Sequence, residues 1–212
     1  MEHRELHLFL ERGLESLGAP GDVERWVRLT LLIARWGGRL NLTGHPDPIS
    51  IARGLLLEAA ALEGVLPAAT RIADLGSGAG IPGLPIALRR PETAVLLVES
   101  RERRHHFQRA AIRELSLENA EALRGRAETL DPVPSQGVIS QAFAQPEQAL
   151  AWMLPWSAPS GWLALATNPG FPGLEHPEIG DVALRRYAAP GGPARAVWLG
   201  IHRGPAIDPE EP

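Results

Sequence analysis

The chain has 212 residues, a formal net charge of -4, 44% hydrophobic and 22% charged residues, and no cysteine. That length suits one α/β domain with a short extension, and the acidic balance excludes a strongly basic nucleic-acid binder overall, though not a local basic patch. The missing cysteine rules out a disulfide framework, a thiolate metal site and a cysteine nucleophile; lysine is absent too, which removes a P-loop lysine and Schiff-base chemistry.

The N-terminal stretch MEHRELHLFLERGLESLG carries charges throughout. It reads as neither a signal peptide nor a membrane span, and a cytoplasmic protein without membrane contact is expected. Leu6, Phe9, Leu10, Leu14 and Leu17 recur at helical spacing over about residues 5–17. GAPGD breaks that helix, and Asp22 can cap a second one carrying Val23, Trp26, Val27, Leu29, Leu32, Ile33 and Trp36, which Gly37-Gly38 should stop. A polar stretch, RLNLTGHPDP, precedes a third apolar helix from about Ile49 to Leu62. These helices form an N-terminal cap over residues 1–68.

From Thr70 strands and helices alternate. RIADL is a short apolar strand, and a helix starts after the glycines that follow it. AVLLVE (Ala94 to Glu99) is the clearest buried strand, and RERRHHFQRAAIRELSL is an arginine-rich helix. AEALRG is a weak third strand, GVISQAF (Gly137 to Phe143) a fourth, PEQALAWMLPWS a helix cut by Pro155, and SGWLALAT (Ser160 to Thr167) a fifth. VALRRYA and ARAVWLGIHR suit a closing antiparallel pair, and residues 205–212 read as a disordered tail. Such alternation predicts a doubly wound parallel sheet over residues 69–204.

The chemistry concentrates in DLGSGAGIPGLP, which places Gly76, Gly78, Gly80 and Gly83 within eight residues of one another directly after the first strand. Gly78, Gly80 and Gly83 satisfy GxGxxG, and Glu99 stands about where a ribose-binding acid belongs. A dinucleotide is therefore one reading. Asp74 beside the loop would repel a pyrophosphate, and Pro82 lacks one of the helix-start N–H groups that would hold it. S-adenosylmethionine has a sulfonium and an ammonium in place of that pyrophosphate and two ribose hydroxyls for Glu99. The charges match it better.

DLGSGAGIPGLPIAL, VLLVES followed by RRHHF, GRAETL, SQAFAQPEQALAWMLPWSAPSGWLALAT and the earlier WGGRLNLTG together resemble the bacterial 16S ribosomal RNA guanine-N7 methyltransferases, the glucose-inhibited division protein B family. The likeness runs from about Trp36 to Thr167. It implies a Rossmann-like, seven-stranded class I methyltransferase fold with an N-terminal helical extension, S-adenosylmethionine as cofactor, and 16S rRNA or the small ribosomal subunit as partner of a monomer. It places Gly76 and Ile81 along the cofactor, Glu99 on the ribose, Ala127 and Glu128 beside the adenine, and Asn41 and Arg126 near the active site and RNA; Asp74, which suits a cationic ligand, and Ser77, Gly78, Gly80 and Ser100 of the same loop and strand end are expected to bind the cofactor with them. The departures are local. Gln141 stands where the family has arginine, Thr167-Asn168 replaces Lys-Gly, Gly54 sits in a histidine position, and Trp36-Gly37 replaces Trp-Asn. Those changes leave room for another RNA or a small molecule as substrate, or for a binding protein without turnover.

Methyl transfer to guanine N7 is a displacement at a sulfonium methyl by a free lone pair, so alignment and exclusion of water can suffice without a base. Asn41 can hold the guanine edge or simply make a loop turn. Gln141 can hold the base or the methionine carboxylate, or merely fill the arginine's place. Arg101, Arg103, Arg104, His105, His106 and Arg109 can contact RNA phosphates or form a solvated helix face. The adjacent His105 and His106 point apart, and no metal is expected.

Overall fold

The computed structural model describes residues 2–19, 21–141 and 144–204. The tail 205–212 and the last two residues of GVISQAF lie outside them. Helix α1 (Glu2–Ser16) packs on α2 (Val23–Leu40) through the apolar stripes the periodicity predicts. Asp22 occupies the N-cap of α2 without a side-chain capping bond.

The expected stop at Gly37-Gly38 is corrected: α2 runs on to Leu40 and ends at Asn41, which is left-handed with φ 50°. Two glycines in a helix cost only about 1 kcal/mol each, which packing offsets. Gly37 is buried, with Thr43 Cγ2 at 3.6 Å from where its Cβ would be. Trp36 meets Phe107 edge-on at 6.0 Å, bringing the end of α2 to the arginine-rich helix. The third helix is also not uniform: α3 (Pro48–Ile51) passes into a π-helical turn (Ala52–Leu57) and then α4 (Glu58–Glu63). Asp47 and Ser50 form a capping box at its start, each side chain accepting the other's backbone N–H.

The sheet follows as β1 (Arg71–Leu75), α5 (Gly83–Arg89), β2 (Ala94–Glu99), α6 (Glu102–Glu114), β3 (Ala120–Arg124), β4 (Ser135–Gln141), α7 (Pro146–Met153), β5 (Ser157–Thr167), β6 (Ile179–Tyr187) and β7 (Arg195–His202). Its order is β3-β2-β1-β4-β5-β7-β6, with β1 to β5 parallel and β7 antiparallel to both neighbours. The weak AEALRG strand is the edge strand β3.

Side chains alternate between two cores, as the strand period requires. Ile72, Val95, Leu97 and Ile139 face the N-terminal helices, α5 and α6. Ala73, Leu75, Leu96, Val98 and Val138 face α7 and Trp156. Successive strands run outward from β1 in one direction and from β4 in the other. The crevice beyond the carboxyl ends of β1 and β4 is thus the topological switch point, where open α/β sheets bind ligands.

Candidate functional site

At the end of β1 the chain turns through Gly76, Gly78 and Gly80, with φ of 72°, 56° and 74°. Side-chain-bearing residues adopt such values at a cost, so these three glycines serve conformation. Gly83 serves proximity: a Cβ there would strike Leu97 and come within 2.8 Å of Asp74 Oδ2.

The loop is fastened to its neighbours by named bonds. The backbone N–H groups of Gly76 and Ser77 both donate to the Val98 carbonyl, at 2.9 and 3.1 Å. The Gly78 N–H donates to Glu99 Oε2 at 3.0 Å, and the Arg101 N–H donates to Glu99 Oε1 at 2.7 Å. Gln108, fully buried on α6, donates from Nε2 to Ser77 Oγ at 2.8 Å and to the Gly78 carbonyl at 2.9 Å.

Asp74 lies beneath the loop on the α5 side of the sheet, 1% exposed. Its Oδ2 accepts the Gly83 N–H at 2.9 Å. Burial pushes its carboxyl up to about 7, with the nearby Glu99 charge adding to the effect and the Gly83 N–H opposing it. Asp74 thus occupies the start of α5 instead of lining the cavity. Pro82 brings no N–H and the Gly83 N–H is taken, so this helix start has little to offer a pyrophosphate.

The cavity itself has a volume of about 300 Å³ and is lined by Gly76, Val98, Glu99, Ser100, Arg101, Arg104, Gly125, Arg126, Ala127, Glu128 and Trp152. Six residues singled out in the sequence meet there: Gly76, Glu99, Ser100, Arg126, Ala127 and Glu128. Trp156, in the core, donates from Nε1 to the Ala127 carbonyl at 3.0 Å and so sets the wall opposite Glu99. Arg126 Nη1 and Glu128 Oε1 stand 3.3 Å apart.

Ile81 and Gln141 do not line this cavity; they share a narrow cleft with Gly54, Leu55 and Tyr187. Burial pushes the Tyr187 phenol up to about 12, with the Glu58 carboxylate adding to the rise. Ser77 is buried under the loop, and Gly78 and Gly80 shape it. Asn41 is exposed, and its carbonyl accepts from Arg104 Nη2 at 3.2 Å. At Asn168, Oδ1 accepts the Gly170 N–H at 2.9 Å in a local turn.

Sequence reasoning leaves five lining residues out of the cofactor site, Val98, Arg101, Arg104, Gly125 and Trp152. Arg104 belongs to the RERRHHFQR run, but helical geometry turns it toward the loop, within 3.8 Å of where a Gly78 Cβ would be. Trp152 resembles a core residue in PEQALAWMLPW, whereas it is half-buried and its neighbour Trp156 is the one that is fully buried. Arg101, Arg103, His106 and Arg109 are exposed, while His105 is buried with Nε2 at 3.2 Å from the Ala122 carbonyl. Among the described residues no group of three or more His, Asp or Glu could hold a metal ion, and no helix is long and apolar enough to cross a membrane.

The sheet order and a cavity at its switch point define a methyltransferase-type α/β fold. Solved structures with the same arrangement include a predicted O-methyltransferase from Agrobacterium tumefaciens, 19% identical with a TM-score of 0.56 over 70% of this chain and 82% of that one. M. jannaschii TYW2 in complex with AdoMet is 15% identical, with a TM-score of 0.54 over 70% of this chain and 74% of that one. Residues 22–168 match the family model described as rRNA small subunit methyltransferase G. Ribosomal RNA small subunit methyltransferase G of Azoarcus sp. is 33% identical over 78% of this chain and 90% of its own length. That of Chromohalobacter salexigens is 31% identical over 92% and 96%. The chain belongs to the rRNA small subunit methyltransferase G family.

Proposed function

We propose that this chain transfers a methyl group from S-adenosylmethionine to N7 of a guanine in 16S rRNA of the small ribosomal subunit, acting in the cytoplasm. The observation that carries the cofactor half is Glu99. It is 5% exposed, fixed by the Gly78 and Arg101 N–H groups, and faces a cavity whose nearby helix start is already occupied by Asp74. A carboxylate held this way keeps lone pairs for two ribose hydroxyls, while the Gly78 and Gly83 N–H groups that a phosphate cradle would use are already bonded within the protein. The cavity volume falls at the lower end of the range of about 300–1,000 Å³ typical of small-ligand sites.

S-adenosylmethionine supplies an electrophilic methyl on a sulfonium when bound. In this reading Glu99 accepts from the ribose, and Ser100 flanks it. Ala127, Glu128 and Trp152 enclose the adenine. The loop from Gly76 through Gly78 and Gly80 to Ile81, with Ser77 beneath, lets the backbone approach the methionine portion. Gln141, Asn41 and Arg126 lie toward the RNA. Guanine N7 attacks with its own lone pair, so these groups orient and exclude water instead of moving a proton. Residues 1–68 are the helical cap and 69–204 the methyltransferase domain of a monomer.

The test is methyl transfer from labelled S-adenosylmethionine to purified small subunits and to free 16S RNA, followed by nucleoside analysis. The expected product is 7-methylguanosine in one of the two. Cofactor binding with no incorporation into either overturns the rRNA reading. The neutral Gln141 in an arginine position favours a different RNA or small molecule as the alternative acceptor, and incorporation there but not into 16S RNA would establish it.

A further inference from the structure

The segment between α2 and α3 delivers a side chain to the π-helical turn that the cofactor cavity does not use. His45 is half-buried, and its backbone N–H donates to Thr43 Oγ1 at 3.1 Å. The capping box of Asp47 and Ser50 fixes the chain two residues later. The His45 imidazole lies directly on Gly54. A Cβ built on Gly54 would stand 2.7 Å from its Nε2 and 3.3 Å from its Nδ1. The ring therefore fills the volume that a side chain at position 54 would enter.

Gly54 does not need glycine for its backbone, since its φ is not positive. A glycine inside a helix costs about 1 kcal/mol relative to alanine. What it provides here is room for the imidazole. It also sits in the π-helical turn Ala52–Leu57, a rare geometry found frequently at functional sites. Gly54 itself lines the narrow cleft together with Ile81 of the glycine loop and Gln141 at the end of β4. The His45 ring thus packs on a residue that shares a cleft with the glycine loop and the end of β4. This cleft is next to the cofactor loop but outside the 300 Å³ cavity.

We propose that His45 is a specificity-determining residue on the RNA side of the site, its imidazole seated on Gly54 and contacting the target purine nucleotide beside Ile81 and Gln141. The proposal rests on the rRNA methyltransferase reading above. An imidazole is suited to reading a base. When neutral it offers one donor and one acceptor nitrogen, and its face can stack on a base. N7 needs no base, so the role is recognition. Losing it acts on RNA and leaves the cofactor alone.

The test combines His45→Ala, Gly54→His and the double variant. S-adenosylmethionine affinity is read by calorimetry, RNA KM and kcat by methyl incorporation, and folding by thermal unfolding. His45→Ala is expected to raise the KM for RNA at least tenfold while the cofactor Kd stays within twofold. Gly54→His alone is expected to be equally impaired, because two imidazoles compete for one volume. The double variant is expected to recover most of the parental kcat/KM, because an imidazole returns to that volume from the other side. A space-filling role alone would be rescued equally by His45→Ala with Gly54→Leu, so recovery with Gly54→His but not with Gly54→Leu is expected, and equal recovery with both overturns the proposal. His45→Ala with parental KM and kcat overturns the proposal, as does a folded double variant no better than His45→Ala. If the Gly54→His variants do not fold, His45→Ala alone decides. A parent that binds cofactor yet methylates no small-subunit RNA overturns the underlying reading, and this proposal with it, before any variant is made.

Discussion

Gln108→Leu tests how the glycine loop is held. Gln108 is fully buried, and its Nε2 bonds both the Ser77 hydroxyl and the Gly78 carbonyl. Ser77 Oγ donates onward to the Val98 carbonyl at 3.3 Å, and the Gly78 N–H holds Glu99. One amide thus fixes the peptide unit that holds Glu99, the acid proposed to take the ribose. Leucine is close in volume, so the packing change is small, under about 1.5 kcal/mol. Two hydrogen bonds are lost at roughly 1 kcal/mol each, and stranding a buried acceptor costs about 1–3 kcal/mol. Among the described residues Gln108 Oε1 has no partner, so removing it recovers part of that cost. The expected net loss is about 2–3 kcal/mol in urea unfolding, read as a lower midpoint at unchanged slope. The S-adenosylmethionine Kd should rise about tenfold, because binding must then order the loop. A stability change below about 0.5 kcal/mol together with parental cofactor affinity would refute the claim that this amide organises the site.

Glu99→Gln turns one oxygen that accepts a backbone N–H into a donor and removes the charge offered to the ribose; calorimetry should show the cofactor Kd raised by about 10- to 100-fold, in line with about 1.5–3 kcal/mol for a charged hydrogen bond. Trp152→Ala should weaken cofactor binding about tenfold while Trp152→Phe stays near the parent, as expected if an aromatic face closes the adenine side. Asp74 carries a pH signature. Its folded pKa of about 7 exceeds the ordinary value of 3.8, so between these values the folded state binds more protons than the unfolded one. Stability from this group is therefore full below about pH 4 and declines as pH rises through 7. Asp74→Asn should flatten the stability slope between pH 5 and 8 and gain relative to the parent at pH 8, as urea midpoints across that range will show.

The parts of the fold legible in the sequence are those set by local period and chemistry. AVLLVE is continuous because β2 is buried on both faces, and the glycine spacing signals left-handed backbone at Gly76, Gly78 and Gly80. What the sequence hides depends on tertiary contact. Gly37-Gly38 looks like a stop until the packing around Gly37 is seen, and a π-helical turn shares the apolar pattern of an ordinary helix over residues 49–62. Trp152 and Trp156 are four residues apart in one apolar stretch, yet one lines the cavity and the other is core, because the chain leaves α7 for a short 3₁₀ turn between them. Charge alone makes Asp74 a neighbour of the ligand. Strand alternation with Ile72 assigns it instead to the α5 face, and that simpler rule is the one the structure obeys.

The glycine loop shares its sequence form with dinucleotide sites but is wired in the opposite sense. In a phosphate cradle the loop and helix N–H groups are left open for an anion from outside. Here the protein's own carboxylates take them: Asp74 accepts Gly83, and Glu99 accepts Gly78 and Arg101. The loop N–H groups that would hold a pyrophosphate are taken, and of the two acids only Glu99 faces the cavity, where it can accept from ribose hydroxyls. Every component of that wiring is present in this chain. The departures from the family pattern lie elsewhere: Gln141 and Gly54 line the separate cleft, and Thr167-Asn168 ends β5. On the proposed reading, these departures lie away from the cofactor wiring and bear on the acceptor side. Differences between this chain and its relatives should therefore appear in RNA affinity and site choice at equal affinity for S-adenosylmethionine.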